Sequence, residues 1–358
     1  LFYKLCISRG IKVLTLSKTN LGTKTMISET AHTFDSKINW NDIKSEGKTL
    51  EELQKYIQSF NFLKVVKKNL NKKTPKIDMI KVIVNYLISD TSKNREQYYY
   101  FGRTKFKVLL FMIKSTLNRK FRESFMGKNL EKEPNCNETF VYFPIHVDME
   151  RPLLIKAPFF TNQIEIIRHI AKSLPMGVKL YVKETPAAVT RDWRSISTYK
   201  EIMAIPNVTL IHPSISPEKL MKNCSIVFTI AGASGFEAAF YGKPSIVFSD
   251  VVYVELPSVT RVREIENLEL IIKKSMKTKV DHIDLDKFVN HLETNVIDFN
   301  WFELESKVAE SFFFGGYTSD VIISTLQMKS FLEKNIETLN YVGKEHAKKI
   351  QIYKQKQK

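Results

Sequence analysis

Four small residues in a row, Gly232-Ala233-Ser234-Gly235, are followed by a lone carboxylate, Glu237, in a segment otherwise made of Phe and Ala. Before them runs Ser225-Ile226-Val227-Phe228-Thr229-Ile230; after them Gly242-Lys243-Pro244 leads into Ser245-Ile246-Val247-Phe248. That order reads as strand, small-residue turn, short helix, glycine turn, strand. Small side chains at a strand end let backbone N–H groups approach an anion, and a helix start adds partial positive charge. Ser234 can donate or cap. Glu237 can accept hydrogen bonds from the two hydroxyls of a ribose; its plainer role is as an acidic partner of the helix start. The turn is neither GxGxxG nor a Walker loop, so alone it does not define a nucleotide site.

Other candidates for chemistry sit at neighbouring strand ends. Lys179-Leu180-Tyr181-Val182-Lys183-Glu184 runs into Thr185-Pro186, which puts Lys183 where a phosphate partner or an ordinary surface lysine would stand. Tyr142-Phe143-Pro144-Ile145-His146 ends another apolar run, with Glu150 four residues on. A neutral imidazole or a carboxylate can take a proton from a hydroxyl nucleophile, so His146 and Glu150 are the candidate catalytic groups. The plainer role of a histidine at a strand end is structural. His212, His169 and His291 have no comparable company, the last two falling within helical patterns. No His, Cys, Asp and Glu set has metal-ligand spacing, so no metal is expected. Ser/His/Asp hydrolysis is unsupported, because no Gly-x-Ser-x-Gly elbow occurs.

These residues need a scaffold that brings strand ends together. Residues 140–144, 178–183, 208–211, 225–230 and 245–248 are short apolar runs, and helical spacing separates them over 162–174, 199–205, 216–223 and 236–241. Such alternation predicts a parallel sheet covered on both faces, a Rossmann-like α/β domain whose ligands sit at the carboxyl ends of the strands. Further helices are expected over 286–296 and 318–339, ending in a Lys/Gln tail. Before residue 127, a strand is expected near residues 11–16 and helices over 49–59, 76–89 and 104–126, with Thr49 and Thr74 as caps. The polar stretch 127–139 is the best linker.

The charge is lopsided. Residues 1–130 hold 26 Lys/Arg against 10 Asp/Glu, whereas residues 131–358 hold 29 against 28. A basic half joined to a neutral half suggests that one half meets an anionic partner. Within it, the basic and apolar residues of 104–126, preceded by Tyr98, Tyr99, Tyr100 and Phe101, suit either a membrane interface or a core-facing helix with a snorkelling basic face. At 43% hydrophobic and 26% charged residues, the 358-residue chain is ordinary globular protein long enough for two domains. No apolar run approaches the roughly 18–20 residues that span a bilayer. Three scattered cysteines suit a reducing compartment.

One family shares these segments in order. Tyr142 to His146, Glu150-Arg151, Gln163, Ala171-Lys172-Ser173-Leu174-Pro175, Leu180 to Glu184, Tyr199 to Val208, the 232–237 turn and Tyr241-Gly242-Lys243-Pro244 together resemble the capsule polysaccharide biosynthesis family. The resemblance covers about residues 140–265. It implies a GT-B-like α/β fold, with two Rossmann-like domains facing across a cleft, and a sugar transfer of the Kdo-transferase kind. It would put Gly232, Ser234, Gly235 and Glu237 on the nucleotide phosphate and ribose and Lys183 near the phosphate, with His146 and Glu150 lining the cleft. Thr185 stands where the family commonly has histidine, so a neutral hydrogen bond replaces a cationic one.

The expected organisation is a basic, acceptor-side domain over 1–136, a nucleotide-sugar-binding domain over 137–315 and a helix with a basic tail over 316–358. With only about 130 residues before the linker, the first domain is expected to be incomplete. No resident cofactor is implied: the nucleotide-sugar, CMP-linked by family default, is a substrate, and the acceptor is a glycan or a lipid-linked glycan. The place implied is cytoplasmic, peripheral on the inner face of the membrane. Rival readings are a glycerophosphate-type polymer transferase, a nucleotide-sugar epimerase, an inactive scaffold and a nucleic-acid- or polyanion-binding protein. No nucleic-acid motif is present, so a specific nucleic-acid partner is not expected.

Overall fold

The computed structural model describes residues 2–30, 33–60, 104–135, 137–148, 152–185, 194–313 and 323–355, with 80, 83, 84, 87 and 88. Glu150 and the Tyr98–Phe101 cluster lie outside the described residues, as does most of the helix expected over 76–89.

The chain folds as two units, each with its own packing. The first joins Leu1–Phe62, Asp250–Leu256 and Asp281–Lys358. Its strands β1 (Thr15–Lys18) and β2 (Thr25–Ser28) form an antiparallel pair, and β9 (Val296–Ile297) adds to β2 through Thr25↔Ile297 and Met26↔Val296. Helix α1 is Phe2–Ser8, and α2 (Leu50–Ser59) begins with a capping box in which Thr49 and Glu52 satisfy each other's backbone N–H groups. In α9 (His282–Thr294), the fully buried Asp286 takes three hydrogen bonds on Oδ2: Ser45 Oγ at 2.6 Å, Glu46 N at 2.6 Å and Gly47 N at 3.0 Å. Helices α10 (Trp301–Phe312), α11 (Thr325–Lys334) and α12 (Ile336–Gln355) complete the unit, and Lys349 of α12 pairs with Asp35 at 3.0 Å.

Segments expected to be separate in sequence are therefore one body. The boundaries read from the sequence, at 136 and 315, fall inside these units, because strand pairing and helix docking join residues some 270 positions apart and leave no periodic trace in the chain. The single helix expected over 318–339 is instead two helices parted at Asn335, and the second runs on into the tail. The linker expected from Gly127 begins as helix, and Glu131 bridges to Ile211. Among its described residues, the N-terminal part forms an antiparallel sheet, not a second parallel one.

The second unit, Leu63–Ser249 with Pro257–Val280, is the α/β body. Six parallel strands, β3 (Phe140–Pro144), β4 (Lys179–Lys183), β5 (Val208–Ile211), β6 (Val227–Thr229), β7 (Ser245–Val247) and β8 (Val259–Arg261), lie in the order β5-β4-β3-β6-β7-β8. The chain starts in the middle, moves out to β5, then crosses to β6 and moves out the other way. That reversal creates a switch point between β3 and β6, the place where ligands of open parallel sheets generally bind. Phe140 to Phe143 are all at most 1% exposed, as a strand covered on both faces requires. Phe140 stacks on Tyr181 at 4.3 Å, and Leu220, Met221, Cys224, Val227 and Ala238 join them in one cluster. The helices of this unit are α3 (Lys105–Asn129), α4 (Gln163–Ser173), α5 (Ile196–Met203), α6 (Pro217–Asn223), α7 (Ser234–Phe240) and α8 (Leu268–Ser275), of which α4 to α8 pack on the sheet.

Candidate functional site at the switch point

Two residues beyond β3, His146 reaches the end of β6. Its Nε2 lies 3.1 Å from Thr229 Oγ1, and the Ala231 N–H donates to the same nitrogen at 3.4 Å. An N–H donor fixes Nε2 as the lone-pair nitrogen, so the neutral ring carries its proton on Nδ1. Burial first, and then Arg194, lower the pKa of His146 to about 4. The ring is neutral at neutral pH and its Nε2 lone pair is already engaged. The structure thus gives His146 a holding role, which the sequence did not separate from that of a base.

What it holds is the small-residue turn. The Gly232 N–H donates to Thr229 Oγ1 at 3.1 Å. A Cβ on Gly232 would meet His146 Cε1 at 2.7 Å and Thr229 Oγ1 at 2.8 Å, so no side chain fits without moving the ring. Beyond it α7 begins, and the N–H groups of Ser234 and Gly235 are among those that a helix start leaves without an intrahelical acceptor. Ser234 makes no cap: Ala233 occupies that position, with no side-chain bond.

His146 is itself held from behind. Gln163, at the first position of α4, is 5% exposed and pairs with the backbone of residue 146 in both directions. Its Oε1 accepts from His146 N at 2.8 Å, and its Nε2 donates to His146 O at 2.8 Å and to Asp148 Oδ1 at 2.6 Å. Arg194 donates to the same carbonyl, to Asp148 at 3.1 Å and to Glu184 Oε2 at 2.5 Å. Glu184 is wholly buried and also accepts from Tyr199 Oη and the Thr185 N–H, both at 2.8 Å. Burial opposes the charge of Arg194, but Glu184 more than offsets it and its pKa rises. Tyr199 is pushed up by burial and then by Glu184.

The remaining expected residues fall differently. Lys183 is 2% exposed and donates to the Glu184 carbonyl at 3.4 Å, so it is not the solvent-facing cation that its place at a strand end suggested. The strand ends inside the sheet's cover rather than beyond it, and Glu184 turns inward with it. Thr185 is half-buried and tied through its N–H to Glu184. Glu237 is half-buried beside Tyr142; burial raises its pKa, and it has no hydrogen-bond or ion-pair partner among the described residues. His212 closes a local turn through Ser214 at 2.7 Å. Sequence reasoning did not single out Thr229, Asp148, Arg194 or Tyr199. Thr229 had a signal, as the hydroxyl that ends an apolar strand; Arg194 had none, since nothing local marks which loop arginine turns inward.

The fold and site define an α/β protein with a tightly packed small-residue turn at the switch point of a parallel sheet. The chain belongs to the capsule polysaccharide biosynthesis protein family, whose model matches residues 75–297. A search of curated proteins found no match. Among solved structures, the chain is similar to the KpsC beta Kdo 2,7 transferase of Thermosulfurimonas dismutans, at 12% identity and a TM-score of 0.37, over 78% of this chain and 68% of that one. It is also similar to the UDP-GlcNAc 2-epimerase of Methanocaldococcus jannaschii in complex with UDP-GlcNAc and UDP (14% identity, TM-score 0.30, 50% of this chain and 51% of that one). A third is the spinosyn rhamnosyltransferase SpnG (13% identity, TM-score 0.27, 42% of this chain and 40% of that one). The chain thus spans about half the length of the epimerase and less of the rhamnosyltransferase.

Proposed function

We propose that this protein transfers a sugar from a nucleotide-activated donor to a glycan or lipid-linked acceptor in capsule polysaccharide synthesis, the donor being a Kdo-like sugar on CMP. Family membership supports the setting. The observation that carries the chemistry is Glu237: a half-buried carboxylate without a partner among the described residues, one turn behind the Gly232–Gly235 turn at the switch point. A carboxylate kept unpaired and raised in pKa by burial is an acceptor waiting for donors, and the two ribose hydroxyls supply them.

In this reading the acceptor hydroxyl oxygen bonds to the anomeric carbon while the bond from that carbon to the donor phosphate breaks. The nucleotide leaves with the electron pair, and the hydroxyl proton passes to a base. The N–H groups of Ser234 and Gly235 receive the leaving phosphate as fixed donors, and the reading asks for no metal. His146, through Thr229 and Ala231, is the positioning residue that keeps the turn in shape. Glu150 is the proposed base. Lys183 and Thr185 act from behind, through Glu184.

Thermal melting with CMP, CDP, UDP and GDP, each with and without EDTA, tests the reading. One nucleotide should raise the melting temperature whether or not EDTA is present, since ligand at a hundred times Kd adds about 2.7 kcal/mol. Glu237→Ala should abolish that rise while leaving the ligand-free melt close to wild type. A cooperatively melting protein that responds to none of the four would overturn the proposal.

A further inference from the structure

Helix α3 buries Met126 near its C-terminal end and leaves an apolar stripe on the far side; one further exposed aromatic, Phe111 (62%), lies off that stripe. Its 25 residues, capped by Thr104, make a rod roughly 37 Å long. Met126 is 1% exposed, and Val108, Ser115 and Arg122 are half-buried; at 100° per residue these four share one side. Diametrically opposite lie Phe106 (70% exposed), Leu110 (50%), Ile113 (60%), Leu117 (62%) and Phe121 (69%). Their spacing of four, three, four and four residues confines them to an arc of about 80°. Scattered exposed apolar residues need no explanation, but five large ones in a row along one face do.

The stripe is edged with positive charge. Lys107 and Lys114 flank it on one side and Lys120 on the other, all exposed. Over the whole helix seven basic residues stand against one acid, Glu123. We infer that α3 is a surface-docking helix for an anionic lipid leaflet: the five apolar side chains enter the acyl boundary, and the lysines stay at headgroup level on phosphate. Charge complementarity selects this occupant. A second copy of the chain would bring two lysine-edged stripes of the same sign together. A nucleic acid would satisfy the lysines but leave Leu110, Ile113 and Leu117 in water. The inference is independent of the glycosyl-transfer reading; it places the protein at the surface where lipid-linked acceptors would be met.

Co-sedimentation with vesicles tests it, using phosphatidylcholine alone and phosphatidylcholine with about 30 mol% phosphatidylglycerol. Binding to the anionic vesicles should exceed that to the neutral ones at least tenfold and weaken as salt rises above about 0.1 M. The double variant Leu110→Glu/Leu117→Glu should lose that binding, and Lys107→Gln/Lys114→Gln/Lys120→Gln should lose about a hundredfold, at about 1 kcal/mol per lysine. Both sets lie on the exposed face, so melting temperature should stay at the wild-type value, and either set alone keeps the test decisive. Unchanged binding by the stripe variant, stripe-dependent dimers in sedimentation velocity, or equally strong, stripe-independent binding to single-stranded DNA would each overturn the inference.

Discussion

His146 and Thr229, 83 residues apart, meet at 3.1 Å and join the end of β3 to the end of β6. This contact lies at the switch point of the sheet, and the glycine after it has room for no side chain because the imidazole and the hydroxyl fill that space. Gly232→Ala should therefore destabilise the protein by about 1–3 kcal/mol through overpacking. Pairing it with His146→Ala should recover part of the loss, a non-additivity that a double-mutant cycle of chemical melts would measure. Strict additivity would mean that the ring does not set the turn.

Glu184 and Arg194 form a buried pair whose remaining valences are taken by Tyr199, Thr185, Asp148 and the His146 carbonyl. Removing one partner leaves the other charge stranded, so Arg194→Met should cost about 3–5 kcal/mol. Glu184→Gln/Arg194→Met should cost less than the sum of the two single changes. Denaturant midpoints of the four proteins would decide it.

The depressed pKa of His146 makes stability depend on pH. Its folded value is about 4 against an ordinary 6.5, so between those values the unfolded chain binds a proton that the folded one refuses. The contribution is complete above about pH 6.5 and is lost as pH falls toward 4, on the order of 3 kcal/mol at roughly 1.4 kcal/mol per unit. His146→Gln should lower stability near neutrality yet flatten this slope. If wild type and variant run parallel between pH 4 and 6.5, His146 is not buried neutral.

Asp286 clasps residues 45–47 through three hydrogen bonds to one oxygen, while its Oδ1 is buried without a partner among the described residues. Asp286→Ala should cost about 1–3 kcal/mol. Amide exchange at Glu46 and Gly47 should speed up more than exchange at the helical amides of α9. Uniform acceleration across α9 would point to helix loss instead of a released clasp.

Local order made much of the α/β body readable. Strands β5 at Val208–Ile211 and β3 at Phe140–Pro144 lie where their apolar runs place them; β3, central in the sheet and buried on both faces, is apolar throughout for that reason. The turn after β6 announced itself by four small residues, and Thr49 marked the start of α2. Family membership was legible for the same reason: its segments follow in order along the chain.

Tertiary structure decided what local order could not. That β9 pairs with β2, and that α12 brings Lys349 to Asp35, depends on contacts between distant residues, which no periodicity records. Nor could the chain tell that Lys183 is covered while Arg194, from a polar loop, turns inward to Glu184 and His146. A charged side chain's role follows from the dielectric and the donors around it, and those come from whichever strands and loops fold against it. Residue types alone thus determined that a strand-end turn existed and what it was made of; packing alone determined that His146 and Thr229 close around it and that Glu237 is half-buried with no hydrogen-bond or ion-pair partner among the described residues.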